Sequence, residues 1–283
     1  LGCHVAVCCL GENELNPRLA AIASAILFST GGAAIKSTTL NSWQVSGLRS
    51  LVAALTVAMI LPAARKNWTW RTALVAFAYA LCLISFVIAT KNTTSANAIF
   101  LQGAAPLYLV LIGPWLLKEK VQRADWLTFS LIAAGMVLVF WKQNAEQASA
   151  PNPELGNLLG AVSGLAWAAT VCGLRWLSKR EEANAMSPVL MGNCMALIFC
   201  LPQMFPLTAI EPRDVAALLY LGAFQVGLAY WFLTRAMSKL PALEAALLVM
   251  IEPALNPVWT WLLHGERPSA TAKPATPPPA SPG

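Results

Sequence analysis

The chain has 283 residues, 57% of them hydrophobic and 11% charged, with a formal net charge of +6. An ordinary soluble domain carries roughly 25% charged residues, so there are too few charges here to cover a water-facing surface and no room for a sizeable soluble domain. The positive charge does not point to nucleic acid, because the basic residues stand one to three at a time between apolar runs, the distribution of the positive-inside rule.

Leu1 to Leu10 is short, apolar and Cys-rich. Leu1-Gly2-Cys3 has a faint likeness to the end of a lipoprotein signal, but no basic region and no full apolar region precede it, so the segment reads as a frayed or artefactual start, and a first residue of Leu rather than Met is consistent with an incomplete chain. Thereafter apolar runs recur with short polar punctuation. A span needs roughly 20 apolar residues, and helices are predicted at 18–36, 43–62, 71–90, 94–117, 124–141, 155–177, 186–205, 214–235 and 240–263. The expected fold is an all-α integral membrane bundle of nine spans.

The connections carry an orientation signal. With the N-terminus in the cytoplasm, the inside loops hold Arg65, Lys66, Arg71, Lys118, Lys120, Arg123, Lys179, Arg180, Arg235 and Lys239, ten against the five outside at Lys36, Lys91, Lys142, Arg213 and Arg267. Trp68, Trp70, Trp126 and Trp141 fall near predicted helix ends, where interfacial aromatics belong. Cys82, Cys172, Cys194 and Cys200 lie in apolar stretches and read as small packing residues. The tail at 267–283, rich in Pro, Ala, Ser and Thr, can neither span a bilayer nor pack a core and is expected to be disordered.

The sequence also matches itself. A separation of 147 residues carries Pro106 onto Pro253, Glu119 onto Glu266, Ala76-Phe77 onto Ala223-Phe224, and Ala98 onto Ala245. A separation of 139 sets Ser24 on Ser163, Phe28 on Trp167 and Lys36 on Arg175, matching the first helix to the sixth. Two units follow, 18–141 and 155–266, each with a period of five helices. An odd period reverses the direction in which the second unit crosses the membrane. Inverted repeats are characteristic of secondary transporters, which alternate access to one central site; the other explanation is duplication kept for packing alone.

The block from Ala96-Asn97-Ala98 through Pro106 to Leu116-Leu117-Lys118-Glu119, and its echo from Glu244-Ala245-Ala246 through Glu252-Pro253 to Leu262-Leu263-His264-Gly265-Glu266, resemble the helix-four and helix-nine signatures of the EamA-like family of the drug/metabolite transporter superfamily. Arg49, within Gly47-Leu48-Arg49-Ser50, is similar to that family's arginine in the second helix. The resemblance runs from about Leu19 to Pro268. It implies a ten-helix transporter of two five-helix halves, exporting amino acids or other small metabolites across a bacterial inner membrane. The Pro-rich tail stands where a tenth helix is expected, which leaves a truncated, inactive transporter as an alternative.

Charged and amide side chains inside a span cost about 2.5 to 3.5 kcal/mol each at the centre on insertion scales, which makes each a candidate. Glu252 precedes Pro253, whose missing N–H frees a carbonyl one turn back; its carboxylate is suited to a substrate amine or a proton, or else is buried and neutral. Gln102 lies one turn before Pro106, on the face of that kink, for a polar substrate or an interhelical bond. Trp167, Phe28, Tyr79, Gln225 and Tyr230 are candidates for a mixed apolar and polar pocket. Arg49 either contacts substrate or snorkels to the interface. Glu119 and Glu266 end repeat-related helices and read as fold or gate residues. The sequence has neither His-Glu-x-x-His nor Gly-x-Ser-x-Gly, and His4 and His264 are its only histidines, so an enzyme or a non-transporting scaffold ranks behind a transporter. The expected partners are a small solute, the bilayer and protons. No cofactor, metal or nucleic acid is called for, and the sequence is silent on oligomeric state.

Overall fold

The computed structural model describes residues 16–117 except Asn67, 150–179, 186–264 except Thr208, and isolated positions between 126 and 134. The start at Leu1 to Leu10, Glu119, Glu266, Trp141, the tail at 267–283 and nearly all of the helix predicted at 124–141 lie outside the described residues.

All elements among the described residues are helical: α1 (Pro17–Ser29), α2 (Gly31–Lys36), α3 (Ser42–Ile60), a 3-10 turn (Pro62–Arg65), α4 (Trp70–Asn92), α5 (Ser95–Gln102), α6 (Ala105–Leu117), α7 (Pro153–Ser178), α8 (Ser187–Met204), α9 (Pro212–Tyr220), a π-helical segment (Leu221–Leu228), α10 (Ala229–Lys239), α11 (Ala242–Val249) and α12 (Ile251–His264). Among these residues, seven helical stretches are long and apolar enough to cross a membrane, the last being Pro212–Lys239. The remaining predicted span, 240–263, is helical in two pieces, α11 and α12.

Polar caps set the boundaries. Asn16 and Asn152 each accept from the first turn, with a proline at the start of the helix that follows. Asn41 and Gln44 form a reciprocal capping box at the start of α3, with bonds of 2.9 and 3.2 Å. Such caps satisfy the orphan N–H groups of a first turn.

The surface reverses that of a soluble protein. Leu55, Leu74, Leu111, Leu158, Ile198 and Phe224 are exposed, whereas Gln44, Arg49, Asn193, Asp214 and Asn256 are fully buried. In lipid the apolar surface gains nothing by hiding, so association depends on close packing and interhelical hydrogen bonds. On α7 the glycines at 156, 160 and 164 recur every fourth residue and form one face. A Cβ on Gly156 would meet Thr93 and Asn92, one on Gly160 would meet Leu101, and one on Gly164 would stand 2.6 Å from the Leu101 carbonyl oxygen. Only the absence of side chains lets α7 lie this close to α5 and the end of α4.

Two polar ends frame the bundle. At the first, Arg18 pairs with Glu244 at 2.9 Å, Ser187 Oγ donates to Lys66 O at 2.8 Å, and Arg175 Nη1 donates to Met237 O at 2.9 Å. At the second, Asp214 accepts from Thr39 N and Oγ1 at 2.8 and 2.7 Å, Lys91 Nζ donates to Thr38 O at 2.7 Å, Asn152 N donates to Asn92 O at 3.1 Å, and Gln44 Nε2 donates to Met204 O at 3.0 Å. The pair α1 and α2 therefore runs from the first end to the second, and α7 runs back. Likewise α4 runs from first to second, whereas the stretch from α9 to α10 runs from second to first.

Four spans are irregular in mid-course. Pro106 cannot donate to Gln102 O, and the chain breaks at Gly103-Ala104, where Gly103 N still reaches Ile99 O at 2.7 Å. Pro253 likewise leaves Val249 O without its helical donor, and the break falls at Met250. In each case the break sits about one turn before the proline, as loss of the i to i−4 bond requires. The other two irregularities correct the sequence reading, which took 18–36 and 214–235 as regular helices. At Thr30 the hydroxyls of Ser29 and Thr30 bond back to Ile26 O and Leu27 O at 2.6 and 2.7 Å, competing with the helix. Residues Leu221–Leu228 are π-helical, and Gly222 lies where a Cβ would stand 2.8 Å from the Arg49 carbonyl oxygen.

Candidate functional site

These irregularities converge. A central cavity is lined by Phe28 of α1, Arg49 of α3, Cys82, Leu83 and Phe86 of α4, Gln102 of α5, Trp167 of α7, Gln225 and Val226 of the π segment, Tyr230 of α10, and Glu252 of α12. Phe28 lies two residues before the break at Thr30, Gln102 ends α5 at the second break, Gln225 is inside the π segment, and Glu252 follows the break at Met250 by two residues. Irregular backbone at membrane depth is tolerated where it lines a cavity or is buried in protein, and here it does the former.

The apolar wall is an aromatic cluster with Tyr230 at its hub. Tyr230 meets Tyr79 at 4.7 Å, Phe28 at 5.1 Å and Trp167 at 5.9 Å between ring centroids, and Phe28 meets Trp167 at 5.8 Å, all edge to face. Such pairs add about 0.5 to 1.5 kcal/mol beyond their buried area, so the rings form a rigid wall. Tyr79 does not itself line the cavity; it buttresses Tyr230 from behind, and its hydroxyl accepts from Asn193 Nδ2 at 2.9 Å.

The polar wall has both occupied and unoccupied groups. Gln102 Nε2 donates to Ser163 Oγ at 2.8 Å and to Cys82 Sγ at 3.3 Å, and Ser163 Oγ donates to Cys82 O at 3.2 Å, which ties α5, α7 and α4 together beside the cavity. Arg49 is fully buried, so the snorkelling alternative is corrected: its Nη2 donates to Leu83 O at 2.9 Å, across to α4 rather than out to an interface. Its Nε and Nη1 have no partner among the described residues, nor does Gln225 Oε1. Glu252 is 9% exposed, and its carboxylate has no hydrogen-bond or ion-pair partner among the described residues.

A second cavity adjoins the first and shares Gln102, Trp167 and Glu252 with it. Pro106, Gly103, Met250 and Pro253 also line it, so the two proline breaks face one another, a Cβ on Gly103 standing 3.0 Å from Pro253 Cγ. Of the eight residues chosen as substrate contacts, Glu252, Gln102, Trp167, Phe28, Gln225, Tyr230 and Arg49 line the central cavity and Tyr79 stands behind it. Both helix-breaking prolines line the second cavity. Glu244, from the second copy of the family motif, is half-exposed and paired with Arg18.

Sequence reasoning missed Ser163 as a functional partner, although the match of Ser24 to Ser163 had picked it out, and missed Asn193, Asn256 and Gln44. The rule that selected Gln102, an amide inside an apolar run, applies equally to those three. Asn256 Nδ2 donates to Ser29 O at 2.9 Å, beside the Thr30 break.

The sequence profile of the EamA-like transporter family matches residues 17–141 and 154–273. An uncharacterized protein of Pseudomonas aeruginosa is 30% identical over 253 residues, covering 86% of this chain and 83% of its own. The pseudopaline exporter CntI of Pseudomonas aeruginosa is 24% identical over 261 residues, 89% of each chain, and the uncharacterized transporter YwfM of Bacillus subtilis is 25% identical over 194 residues, 66% of this chain and 63% of its own. A solved crystal structure matches with a TM-score of 0.69 at 18% identity, covering 90% of both chains, which shows a shared fold. With the family profile falling once on each half of an apolar helical bundle, and with sequence relatives named as transporters, this chain belongs to the EamA-like transporter family and is an integral membrane transporter of a small solute.

Proposed function

We propose that the chain exports amino acids or similar small metabolites across the inner membrane by alternating access around the central cavity. The observation that carries this is the carboxylate of Glu252, unpaired among the described residues and buried beside a helix break in a cavity with both an aromatic and a polar wall. Glu252 and the free Gln225 Oε1 are acceptors suited to a substrate ammonium group, and Phe28, Trp167 and Tyr230 to an apolar side chain. The same carboxylate takes up a proton when substrate leaves, which couples export to the proton gradient. That one relative is named a pseudopaline exporter is consistent with this direction of transport.

The inverted repeat is part of the proposal, with units at 18–141 and 155–266 and nine spans in all. Opposed directions of α1–α2 and α7, and of α4 and the stretch from α9 to α10, support it. So does the shared shape of α5–α6 and α11–α12, since Ser95–Gln102 and Ala242–Val249 are eight-residue helices separated by 147 residues, each broken one turn before its proline. Basic residues gather at the first end, Arg18, Arg65, Lys66, Arg71, Lys179, Arg235 and Lys239 against Lys36, Lys91 and Arg213 at the second, which favours a cytoplasmic N-terminus. In this scheme Glu119 and Glu266 cap equivalent helices on opposite faces.

Counterflow of labelled amino acids into proteoliposomes tests the proposal. Wild-type protein should accelerate exchange and Glu252→Gln should slow it at least tenfold. Equal exchange by both would remove Glu252 from the site, and no exchange of any amino acid by wild type would remove the substrate class.

A further inference from the structure

We infer that Arg49 is a binding site for the carboxylate of the transported solute, so that the cavity takes a small organic monocarboxylate through its acid end. The inference deepens the proposed function and rests on reading the central cavity as the solute site. A guanidinium presents five N–H donors in a planar fork. Among the described residues Nη2 of Arg49 has an acceptor, Leu83 O at 2.9 Å, whereas Nε and Nη1 have none, and Arg49 is fully buried. Leu83 O holds the fork in place and leaves N–H groups for a ligand.

No acidic side chain among the described residues neutralises this charge. Asp214 is engaged by Thr39, Glu244 by Arg18 and Glu211 by Arg213. Glu252 lines the same cavity, yet no ion pair joins it to Arg49. A buried cation left without a counter-charge is strongly disfavoured, and a carboxylate fits a guanidinium fork in a planar, two-bond geometry that a lysine cannot offer. The rest of the lining decides between a carboxylate and a more highly charged anion. Arg49 is the sole cation among the lining residues described, and Phe28, Phe86, Trp167 and Tyr230 supply ring surface instead of further positive charge. Such a wall suits one negative charge carried on an apolar body and is poor for a phosphate dianion.

The carboxylate and ammonium recognition therefore fall to different helices: Arg49 on α3 takes the anion, while Glu252 on α12 faces the cation from across the break at Met250. An α-amino acid satisfies both, and a simple carboxylate satisfies Arg49 alone. Arg49 also serves as the discriminating group, since an amine lacking a carboxylate would leave the guanidinium unmatched.

Benzoate is the probe, because it carries one carboxylate on a ring and no amine. Thermal unfolding of the full chain in detergent is followed by tryptophan fluorescence with benzoate, with its neutral isostere benzamide, and with sodium chloride or phosphate at equal ionic strength. Benzoate at ten times its Kd should raise the midpoint by about 3 °C, while benzamide, chloride and phosphate should not. Arg49→Gln should weaken benzoate at least tenfold and erase its advantage over benzamide, and Arg49→Lys, which keeps the charge but not the fork, should recover only part. A purely structural Arg49 would lower the midpoint without changing that preference. Failure of benzoate to stabilise wild type, equal stabilisation by benzamide, or equal stabilisation by phosphate each overturns the inference, and none requires a variant to fold. Benzoate stabilisation in a protein that moves no solute would support the anion site while removing the transport reading.

Discussion

Replacing Gly164 with alanine tests whether the close approach of α7 to the α5 break supports the cavity. The new Cβ would stand 2.6 Å from Leu101 O and 3.3 Å from Gln102 Cα, both backbone atoms that cannot rotate away. Ordinary contact between such atoms is about 3.4 Å, so α7 and α5 must separate by about 0.8 Å. Overpacking of this kind costs about 1–3 kcal/mol, or a fall of about 3–9 °C in midpoint for a chain of this size. Ser163 and Gln102 flank the contact and are held together at 2.8 Å, so the same separation lengthens their bond and lowers flux. Gly113→Ala is the control: nothing lies within 4 Å of its Cβ, and helix propensity predicts an unchanged or slightly raised midpoint, by up to about 1 kcal/mol. The paired assays are thermal unfolding in detergent and counterflow in liposomes. A Gly164→Ala midpoint within 1 °C of wild type, or an equal loss in Gly113→Ala, would refute the reasoning.

Pro253→Ala restores an N–H that can donate to Val249 O, and should straighten the junction of α11 and α12, cutting flux well before it affects the unfolding midpoint. Asp214→Ala removes three hydrogen bonds that join Thr39 and Glu211 at the second end; a loss of about 2–3 kcal/mol is expected, with Asp214→Asn recovering part, read by thermal unfolding. The Arg18–Glu244 pair is solvent-exposed, so Glu244→Gln should shift stability by less than about 1 kcal/mol, and less again in high salt. A large, salt-independent loss would show that this pair pins the helix ends.

The spans were legible because an apolar run of about 20 residues between polar caps has few other solutions, and eight of the predicted runs reappear as helices or broken helices. Two breaks were legible for a similar reason, since Pro106 and Pro253 remove a specific backbone donor. The break at Thr30 and the π segment were not. The first depends on hydroxyls bonding back to their own helix, and the second accompanies Gly222 lying against α3, so each arises from geometry that no single-helix pattern records. Glu252 and Gln102 stood out as polar groups in apolar runs, and Asn193 and Asn256 meet the same criterion, Asn256 even standing directly before Pro257. Arg49 was ambiguous for a different reason. Seven residues into its span, it reads as near an interface, whereas its partner, Leu83 O, lies on another helix.

The central claim is that one cavity between the two halves opens to each side of the membrane in turn. Cys82 lines that cavity, so a chain retaining Cys82 as its only cysteine, with the other six of its seven cysteines replaced, can be exposed to a membrane-impermeant thiol reagent in vesicles of either orientation. The account predicts labelling from both faces, slowed from each by a transported amino acid. Labelling from one face alone, with substrate present or absent, would contradict it.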